Sequence, residues 1–118
     1  MNESISNCDN HCIFCKIISG KLPASRVSED DEYLAIRDVN PQAPVHILVI
    51  PKLHLPGVSE FEEPAQLGRL FQAASKVAAS EKLSSFRLVI NKGADAGQTV
   101  YHLHIHLLGG RQLSWPPG

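Results

Sequence analysis

The sequence has no long apolar run and no cluster of basic residues. Its first ten residues, MNESISNCDN, are polar, so they do not resemble a secretory signal and instead predict a flexible tail over residues 1–10. The apolar runs are too short to cross a bilayer, and the formal net charge is −1. A cytoplasmic protein is therefore expected, with neither a membrane nor a nucleic acid as its partner.

Cysteine is also scarce. The chain has 3 cysteines, an odd number, and two of them form the CxxC motif at Cys12 and Cys15. Without an export signal, this pair favours reduced thiols or a metal site over a disulfide scaffold. The length of 118 residues, 43% of them apolar, is sufficient for one compact domain with its own core, which we place at residues 11–118.

The order of apolar segments predicts an α+β fold with a five-stranded antiparallel sheet. A short helix in CIFCKIISG ends at Gly20, and strands follow on both sides of an acidic turn at residues 29–31, then at 45–50, 86–90 and 99–108. A long helix spans about residues 62–82. The residues predicted to form its buried face are Leu67, Leu70, Phe71, Ala74, Val77 and Ala78.

Three of the 6 histidines alternate with apolar residues at His102, His104 and His106. In a strand, residues two apart point to the same face, so this spacing places the three imidazoles together. With a rise of roughly 3.3 Å per residue, the two end histidines lie about 13 Å apart, too far for one metal ion to bind both readily. The row therefore favours divided roles along an extended substrate, although a half-exposed polar strand gives the same alternation.

Neutral imidazole is a nucleophile at physiological pH, which suits a phosphorus centre. The nearby segment GADAGQT has glycines that can turn backbone N–H groups toward phosphate oxygens, or it simply forms a turn. The segment HLHIHLL matches the signature of the histidine triad family, and the match extends over residues 12–118. The ending GGRQLSWPPG resembles the nucleotide-binding branch of that family, the purine nucleoside phosphoramidases.

The resemblance implies a hydrolase of purine nucleoside phosphoramidates that works through a nucleotidyl-histidine intermediate. His104 matches the nucleophile, His106 the residue that binds or protonates at the phosphate, and His102 the residue that orients the site. His46 completes the catalytic set. No cofactor is required for this chemistry.

The resemblance also implies a purine nucleotide site. Asp38 matches the carboxylate that binds the ribose hydroxyls, and Gln98 and Thr99 match a polar pair at the phosphate and leaving group. Five further positions match an apolar slot for the base: Ile13, Phe14, Ile17, Ile36 and Val39. The remaining positions matched to this site are Asn91, Gly97 and Trp115. Simpler roles remain open: Ile17 as core, and Asp38 and Asn91 as turn residues.

Some members of the family hold zinc, and the resemblance implies the same ligands here. They are Cys12, Cys15, His54 and His102, which would give a closed tetrahedral structural Zn²⁺ site. Without a metal, the two cysteines would be small apolar residues.

The resemblance further implies a homodimer with a sheet extended across the two subunits and Trp115 near the neighbour's leaving group. A tail folded on its own subunit is the alternative. The rival functions are a nucleotide-binding regulatory or scaffold protein, a dinucleoside polyphosphate hydrolase, and a zinc metallohydrolase that uses His102 and His104.

Overall fold

The computed structural model describes residues 11–118, so the tail predicted at residues 1–10 lies outside the described residues. The elements in chain order are helix α1 (Ile13–Ile18), strands β1 (Arg26–Glu29), β2 (Tyr33–Arg37) and β3 (Val45–Pro51), helix α2 (Pro64–Ser80), and strands β4 (Phe86–Val89) and β5 (Ile105–Gly109). Short 3₁₀ turns occur at Val58–Glu60 and Ala94–Ala96. This arrangement confirms the α+β prediction.

The five strands form one antiparallel sheet in the order β1-β2-β3-β5-β4. The register of β3 against β5 pairs His46 with Leu108 and Leu48 with His106. Because paired residues share a face, His46 and His106 become diagonal neighbours on the same side of the sheet. Histidines that are 60 residues apart in sequence are thereby brought within reach of each other.

Helix α2 covers one face of the sheet. It begins at Pro64, where the Glu63 carboxylate accepts a hydrogen bond from the Ala65 N–H at 3.2 Å. The core on this face consists of Ala35, Ile47, Val49, Leu70, Ala73, Ala74, Val77, Ala78, Leu103, Ile105 and Leu107. The prediction for Phe71 was wrong: its side chain is 38% exposed and Ala73 is buried instead. Three of the five residues that the helix contributes to this core are alanines, whose small side chains let a helix lie close to a sheet.

Helix α1 packs on the opposite face. The thiol of Cys12 caps this helix by accepting a hydrogen bond from the Cys15 N–H at 3.4 Å, and the turn that follows contains Gly20 at φ +86°. The second core consists of Cys12, Phe14, Cys15, Ile17, Leu34, Ile36, Leu48 and Ile50. Both CxxC thiols are therefore held against the face that carries His46 and His106.

The last strand is shorter than predicted, because it begins at Ile105 and not at residue 99. Its neighbour β3 ends at Pro51, which has no N–H to continue the ladder. The preceding segment bonds to a loop instead, with the Leu103 N–H donating to the Leu55 carbonyl at 2.7 Å. The alternation still holds there: Leu103 is 1% exposed on the α2 side, while His102 and His104 contact Phe14 on the α1 side.

Within residues 11–118, no helix combines the length and apolar character that crossing a membrane requires.

Candidate active site and metal centre

His104 is held by a backbone carbonyl. Its Nδ1 lies 2.8 Å from the carbonyl oxygen of His102, and because a carbonyl only accepts, Nδ1 must carry the proton. The lone pair is then on Nε2. Burial lowers the pKa of His104, opposed by the hydrogen bond to His102 and by the charge of Asp38. The ring is therefore neutral at pH 7, with Nε2 available as a nucleophile.

His46 and His106 form a second hydrogen-bonded unit. The Gln42 N–H donates to Nδ1 of His46 at 3.0 Å, so the proton of His46 is on Nε2. That Nε2–H donates to Nδ1 of His106 at 2.9 Å, which leaves the proton of His106 on its own Nε2. The ring centroids of His104 and His106 are 4.9 Å apart. The site therefore offers a nucleophilic nitrogen on one ring beside an N–H donor on the next.

Both rings of this unit are neutral. Burial lowers the pKa of His46, although the charge of Asp38 opposes the shift. Burial, with smaller contributions from His104 and His46, lowers the pKa of His106 to about 4. At pH 7, His106 is therefore uncharged and its Nε2–H can donate a hydrogen bond.

Asp38 has two different oxygen contacts. Its Oδ1 accepts a hydrogen bond from the Asn40 N–H at 2.8 Å, which is the turn-capping role left open above. Its Oδ2 lies 3.4 Å from Nε2 of His46. The side chain is 18% exposed, so it borders the histidines and solvent at once. Its predicted contact with ribose hydroxyls remains a prediction.

The residues predicted to line the base slot divide into two groups. Ile17 and Ile36 are buried in the core beneath α1, whereas Ile13 is 47% and Val39 is 99% exposed. Phe14 is buried edge-on against His104, with ring centroids 5.1 Å apart. Ile13 and Val39 are thus the members of this predicted set that are open to solvent, and the base slot itself remains a prediction.

Gln98 shapes the loop that precedes the histidine row. Its side-chain Oε1 accepts from the Gly93 N–H at 2.8 Å, and its Nε2 donates to the carbonyls of Pro56 at 2.7 Å and Val100 at 3.1 Å. Its backbone N–H donates to the Gly93 carbonyl at 3.0 Å. Of the predicted polar pair, Thr99 is exposed and Gln98 is buried, so the structure gives Gln98 a loop-holding contact set.

The other predicted residues lie around this loop and the tail. Asn91 is half-buried beside it, and Gly97 adopts a left-handed conformation at φ +97° that ends the Ala94–Ala96 turn. Trp115 is 80% exposed, with the guanidinium carbon of Arg87 at 5.9 Å from its ring. Trp115 is therefore largely uncovered within a single chain.

The four predicted metal ligands come together. The ligand atoms of Cys12, Cys15, His54 and His102 all lie within 4.8 Å of one another. The Cys12 thiol is 3.3 Å from Nδ1 of His102, and the Cys15 thiol is 3.4 Å from Nδ1 of His54. Two sulfurs and two imidazole nitrogens are the donor set that suits a tetrahedral zinc ion.

The tautomer of His102 also fits metal binding. Its Nε2 lies 2.8 Å from the carbonyl of Pro51 and must donate to it, so Nδ1 presents a lone pair to the two thiols. Burial lowers the pKa of His102 to about 4, which keeps the ring neutral as a ligand must be. Burial raises the pKa of the Cys12 thiol, an effect that a bound cation would oppose.

The ligand atoms of a second group, Asp38, His46 and His106, are equally close together, but the protons on its imidazole rings do not suit metal binding. The Gln42 N–H occupies Nδ1 of His46, and the proton on Nε2 points into the group. A neutral imidazole cannot bind a metal through a protonated nitrogen. This group is therefore built as a hydrogen-bond chain.

Comparison with known proteins identifies this architecture. A model of the HIT domain matches residues 19–113. The chain belongs to the HIT domain family. An uncharacterized HIT-like protein of Synechocystis is 58% identical over 109 residues, covering 90% of this chain and 96% of the relative. A protein of Arabidopsis thaliana named adenylylsulfatase HINT1 is 53% identical over 115 residues, covering 93% of this chain and 78% of the relative.

Solved HIT structures show the same fold. A HIT family hydrolase from Legionella pneumophila superposes with a TM-score of 0.88 at 47% identity, covering 92% of this chain and all of the other. A histidine triad protein from Clostridium difficile gives a TM-score of 0.86 at 40% identity, covering 90% of this chain and 96% of the other. The fold and family predicted from the sequence are thus confirmed.

The sequence did not reveal the groups that fix the histidine tautomers. They are the carbonyls of His102 and Pro51 and the N–H of Gln42. Each is a backbone group, so no residue type marks it. The available signal was position, since the turn NPQAP ends two residues before His46 and Pro51 ends the strand that contains His46.

Proposed function

We propose that this HIT protein hydrolyses purine nucleoside 5′-phosphoramidates through a covalent nucleotidyl intermediate on His104. The observation that supports this most directly is the 2.8 Å hydrogen bond from Nδ1 of His104 to the His102 carbonyl, which leaves Nε2 as the nucleophile. The Nε2–H of His106 is next to it and can donate to a phosphoryl oxygen as charge develops there.

The reaction has two displacements. Nε2 of His104 attacks the α-phosphorus, the P–N bond breaks with its electron pair going to nitrogen, and the amine leaves after taking one proton from the medium. A water molecule then attacks the same phosphorus, the bond to His104 breaks, and the nucleoside monophosphate leaves. Breaking the bond to Nε2 returns its electron pair to His104, which becomes neutral again, and the proton of the attacking water passes to solvent.

A second candidate reaction uses the same intermediate. The Arabidopsis relative, 53% identical to this chain, is named an adenylylsulfatase. On an adenylyl sulfate, His104 would attack the same phosphorus and sulfate would leave in place of the amine. A dinucleoside polyphosphate is a third substrate class, with a nucleotide polyphosphate as the leaving group.

The deciding experiment is a comparison of kcat/KM for adenosine 5′-phosphoramidate, adenylyl sulfate and a dinucleoside polyphosphate. We expect the phosphoramidate to be the best substrate and mass spectrometry of a rapidly quenched reaction to detect a nucleotidyl adduct. A preference for adenylyl sulfate would favour the second candidate. Tight AMP binding without turnover of any of the three would favour the regulatory or scaffold role and refute the enzyme.

The ribose contact of Asp38 can be tested with a pair of ligands. The variant Asp38→Ala should weaken AMP binding about 10-fold, roughly the contribution of hydrogen bonds to a charged group, and weaken 2′,3′-dideoxy-AMP binding much less. Because both ligands meet the same altered turn, the dideoxy ligand serves as the control. Equal losses would mean that Asp38 acts only through its 2.8 Å bond to the Asn40 N–H.

We also propose a structural zinc ion at Cys12, Cys15, His54 and His102. The convergence of the four ligand atoms within 4.8 Å supports it, as does the Nδ1 lone pair of His102, which faces both thiols. In the bound state, zinc would contribute folding energy by joining α1 to the segment before β5. Protein purified without added zinc should contain about one equivalent per chain, and metal-free protein with both thiols titratable and unchanged stability would refute the site.

A symmetric homodimer is the assembly we propose, with the tail of one subunit near the site of the other. The 80% exposure of Trp115 in a single chain supports a partner surface there, since tryptophan is enriched at interfaces. Deleting residues 113–118 should leave a dimer with altered preference among phosphoramidates of different amines, while AMP affinity changes little. A full-length monomer by ultracentrifugation at micromolar concentration would contradict this assembly.

A further inference from the structure

The C-terminal tail is tied to the turn that precedes β3. The guanidinium of Arg111 donates two hydrogen bonds to the backbone carbonyl of Gln42, from Nε at 3.1 Å and from Nη2 at 2.9 Å. A third donor, Nη1, bonds to the carbonyl of Gln112 at 2.8 Å. Arg111 is exposed, yet three of its donors are engaged by backbone oxygens and fix its direction.

The residue that Arg111 holds is the one that sets the proton of His46. The N–H of Gln42 donates to Nδ1 of His46, whose Nε2–H donates to Nδ1 of His106. Each bond in this series has only one possible donor, because the first donor is a backbone N–H. A displacement of Gln42 would therefore change which nitrogen of His106 carries the proton, because two hydrogen bonds connect the two residues.

The local sequence is built for this contact. Gly110 has φ +92°, and a Cβ placed on it would lie 2.9 Å from Cβ of Pro44. The tail can therefore pass close over Pro44 only because residue 110 has no side chain. Pro41 lies on the other side of Gln42 in sequence and restricts the same turn. Pro41 and Pro44 thus restrict the turn, and the close approach of Gly110 to Pro44 brings Arg111 to the Gln42 carbonyl.

We infer that Arg111 is a positioning residue that keeps the Nε2–H of His106 directed at the substrate phosphate by fixing Gln42 and, through it, His46. This inference rests on the proposed function for its effect on rate. When Gln42 is free to move, His46 can place its proton on Nδ1 and accept from Nδ1 of His106. The Nε2 of His106 then presents a lone pair to an anionic oxygen, which is repulsive.

The kinetic test compares Arg111→Ala and Arg111→Lys with Arg69→Ala. Arg69 is an exposed arginine of α2 that also bonds through two nitrogens, to Glu32, and it serves as the control for losing such a side chain. In Arg111→Ala, kcat for adenosine 5′-phosphoramidate should fall about 10-fold, the order expected for losing hydrogen bonds from a charged donor. KM should change little, and Arg111→Lys should recover part of kcat through a single donor.

A second variant removes the contact without removing the guanidinium. Gly110→Ala forces the tail away from Pro44, so kcat should fall as in Arg111→Ala although Arg111 is retained. Thermal unfolding of each variant identifies any that fails to fold. A drop in kcat for Arg69→Ala equal to that of Arg111→Ala would mean a general effect of surface charge and would overturn the inference.

The decisive readout does not depend on the substrate. Nitrogen-15 NMR of histidine-labelled protein should show His46 and His106 protonated at Nε2 in the wild type and a mixture of tautomers in Arg111→Ala. Unchanged tautomers with unchanged kcat would overturn the inference while leaving the proposed function intact. If the wild type hydrolyses none of the three substrates, the proposed function fails, and the tautomers alone then decide whether Arg111 sets these protons.

Discussion

His102 and His104 lie two residues apart and both face α1, yet they present opposite ring nitrogens. The Nε2–H of His102 donates to the Pro51 carbonyl at 2.8 Å, which leaves Nδ1 for the two thiols. The Nδ1–H of His104 donates to the His102 carbonyl, also at 2.8 Å, which leaves Nε2 for a substrate. The position of one carbonyl each thus gives two identical side chains different free nitrogens, which suit the ligand role proposed for His102 and the nucleophile role proposed for His104.

The largest effect on turnover should appear when the ring of His104 is removed. His104→Ala should lower kcat by about 10³-fold or more, as expected for a nucleophile, because no neighbouring group replaces Nε2. The same variant should keep its metal, since His104 contributes no ligand atom to the cluster of Cys12, Cys15, His54 and His102. Single-turnover kinetics and metal analysis of one preparation measure both quantities. Retained turnover would place the nucleophile elsewhere.

The cysteine pair gives the complementary result. Cys12→Ser with Cys15→Ser should release the metal and lower the free energy of unfolding by about 4 kcal/mol, the linkage expected at metal concentrations near a thousand times Kd. We expect kcat to fall far less than in His104→Ala, because the His102 carbonyl that holds His104 belongs to the backbone. Denaturant unfolding with and without a chelator measures the first effect.

In the cysteine variant, the chelator should have no effect, which makes it the control for the wild type. A zinc metallohydrolase that uses His102 and His104 predicts the opposite pattern. In that case, chelation would abolish turnover in proportion to the metal removed. Activity that persists after metal loss would exclude that rival function. It would also mean that turnover at His104 does not depend on the metal.

The sequence predicted much of which site residues lie together, but it did not predict which ring nitrogen of each histidine carries the proton. Alternation placed Leu103 and the histidines on opposite sides, and the register of β3 and β5 then joined His46 to His106. Three-residue spacing brought the two CxxC thiols to one helical turn. Tautomers were beyond reach, because they depend on where Pro51 ends a strand and how a backbone carbonyl turns.

The errors on the α2 side have a similar origin. Helical periodicity placed Phe71 in the core, but Ala73 is buried there instead. Periodicity gives the direction of an apolar stripe only to within about one residue, and the closeness of the helix to the sheet decides which edge is buried. Arg111 was missed for another reason: its partner is a backbone carbonyl far away in sequence.

Acid should destabilise the fold through its buried histidines. Burial lowers the pKa of His106 to about 4, below its ordinary value of 6.5. The unfolded chain therefore takes up a proton first as the pH falls, and stability is lost between about pH 6.5 and pH 4. Each such histidine contributes a slope of up to about 1.4 kcal/mol per pH unit.

Denaturant unfolding between pH 7 and pH 4.5 measures this slope. His106→Gln should flatten it, since one proton-linked group is lost, while the carbonyl contacts of His102 and His104 remain. Zinc binding in the folded state would displace the protons of Cys12 and Cys15, which the unfolded chain retains, so the metal-bound protein should show the steeper slope and chelation should flatten it. An identical slope in the wild type and in His106→Gln would mean that His106 already has an ordinary pKa in the folded protein.

The smallest expected effect concerns Phe14, whose side chain contacts both a proposed metal ligand and the proposed nucleophile. Phe14 lies between the two thiols in sequence, and its ring meets His102 edge-on at 5.8 Å and His104 at 5.1 Å between centroids. Phe14→Leu keeps an apolar side chain in place but removes the ring edge, a loss of about 0.5–1.5 kcal/mol in aromatic contact. We therefore expect kcat and metal affinity each to fall about 3-fold, corresponding to roughly 0.7 kcal/mol. Ile17→Leu is the matched control, because it lies in the same core but contacts neither ring as an aromatic. If Phe14→Leu lowered only kcat, then only the contact with His104 would matter for function. If it lowered only metal affinity, then only the contact with His102 would matter, and in either case Phe14 would not couple the two sites.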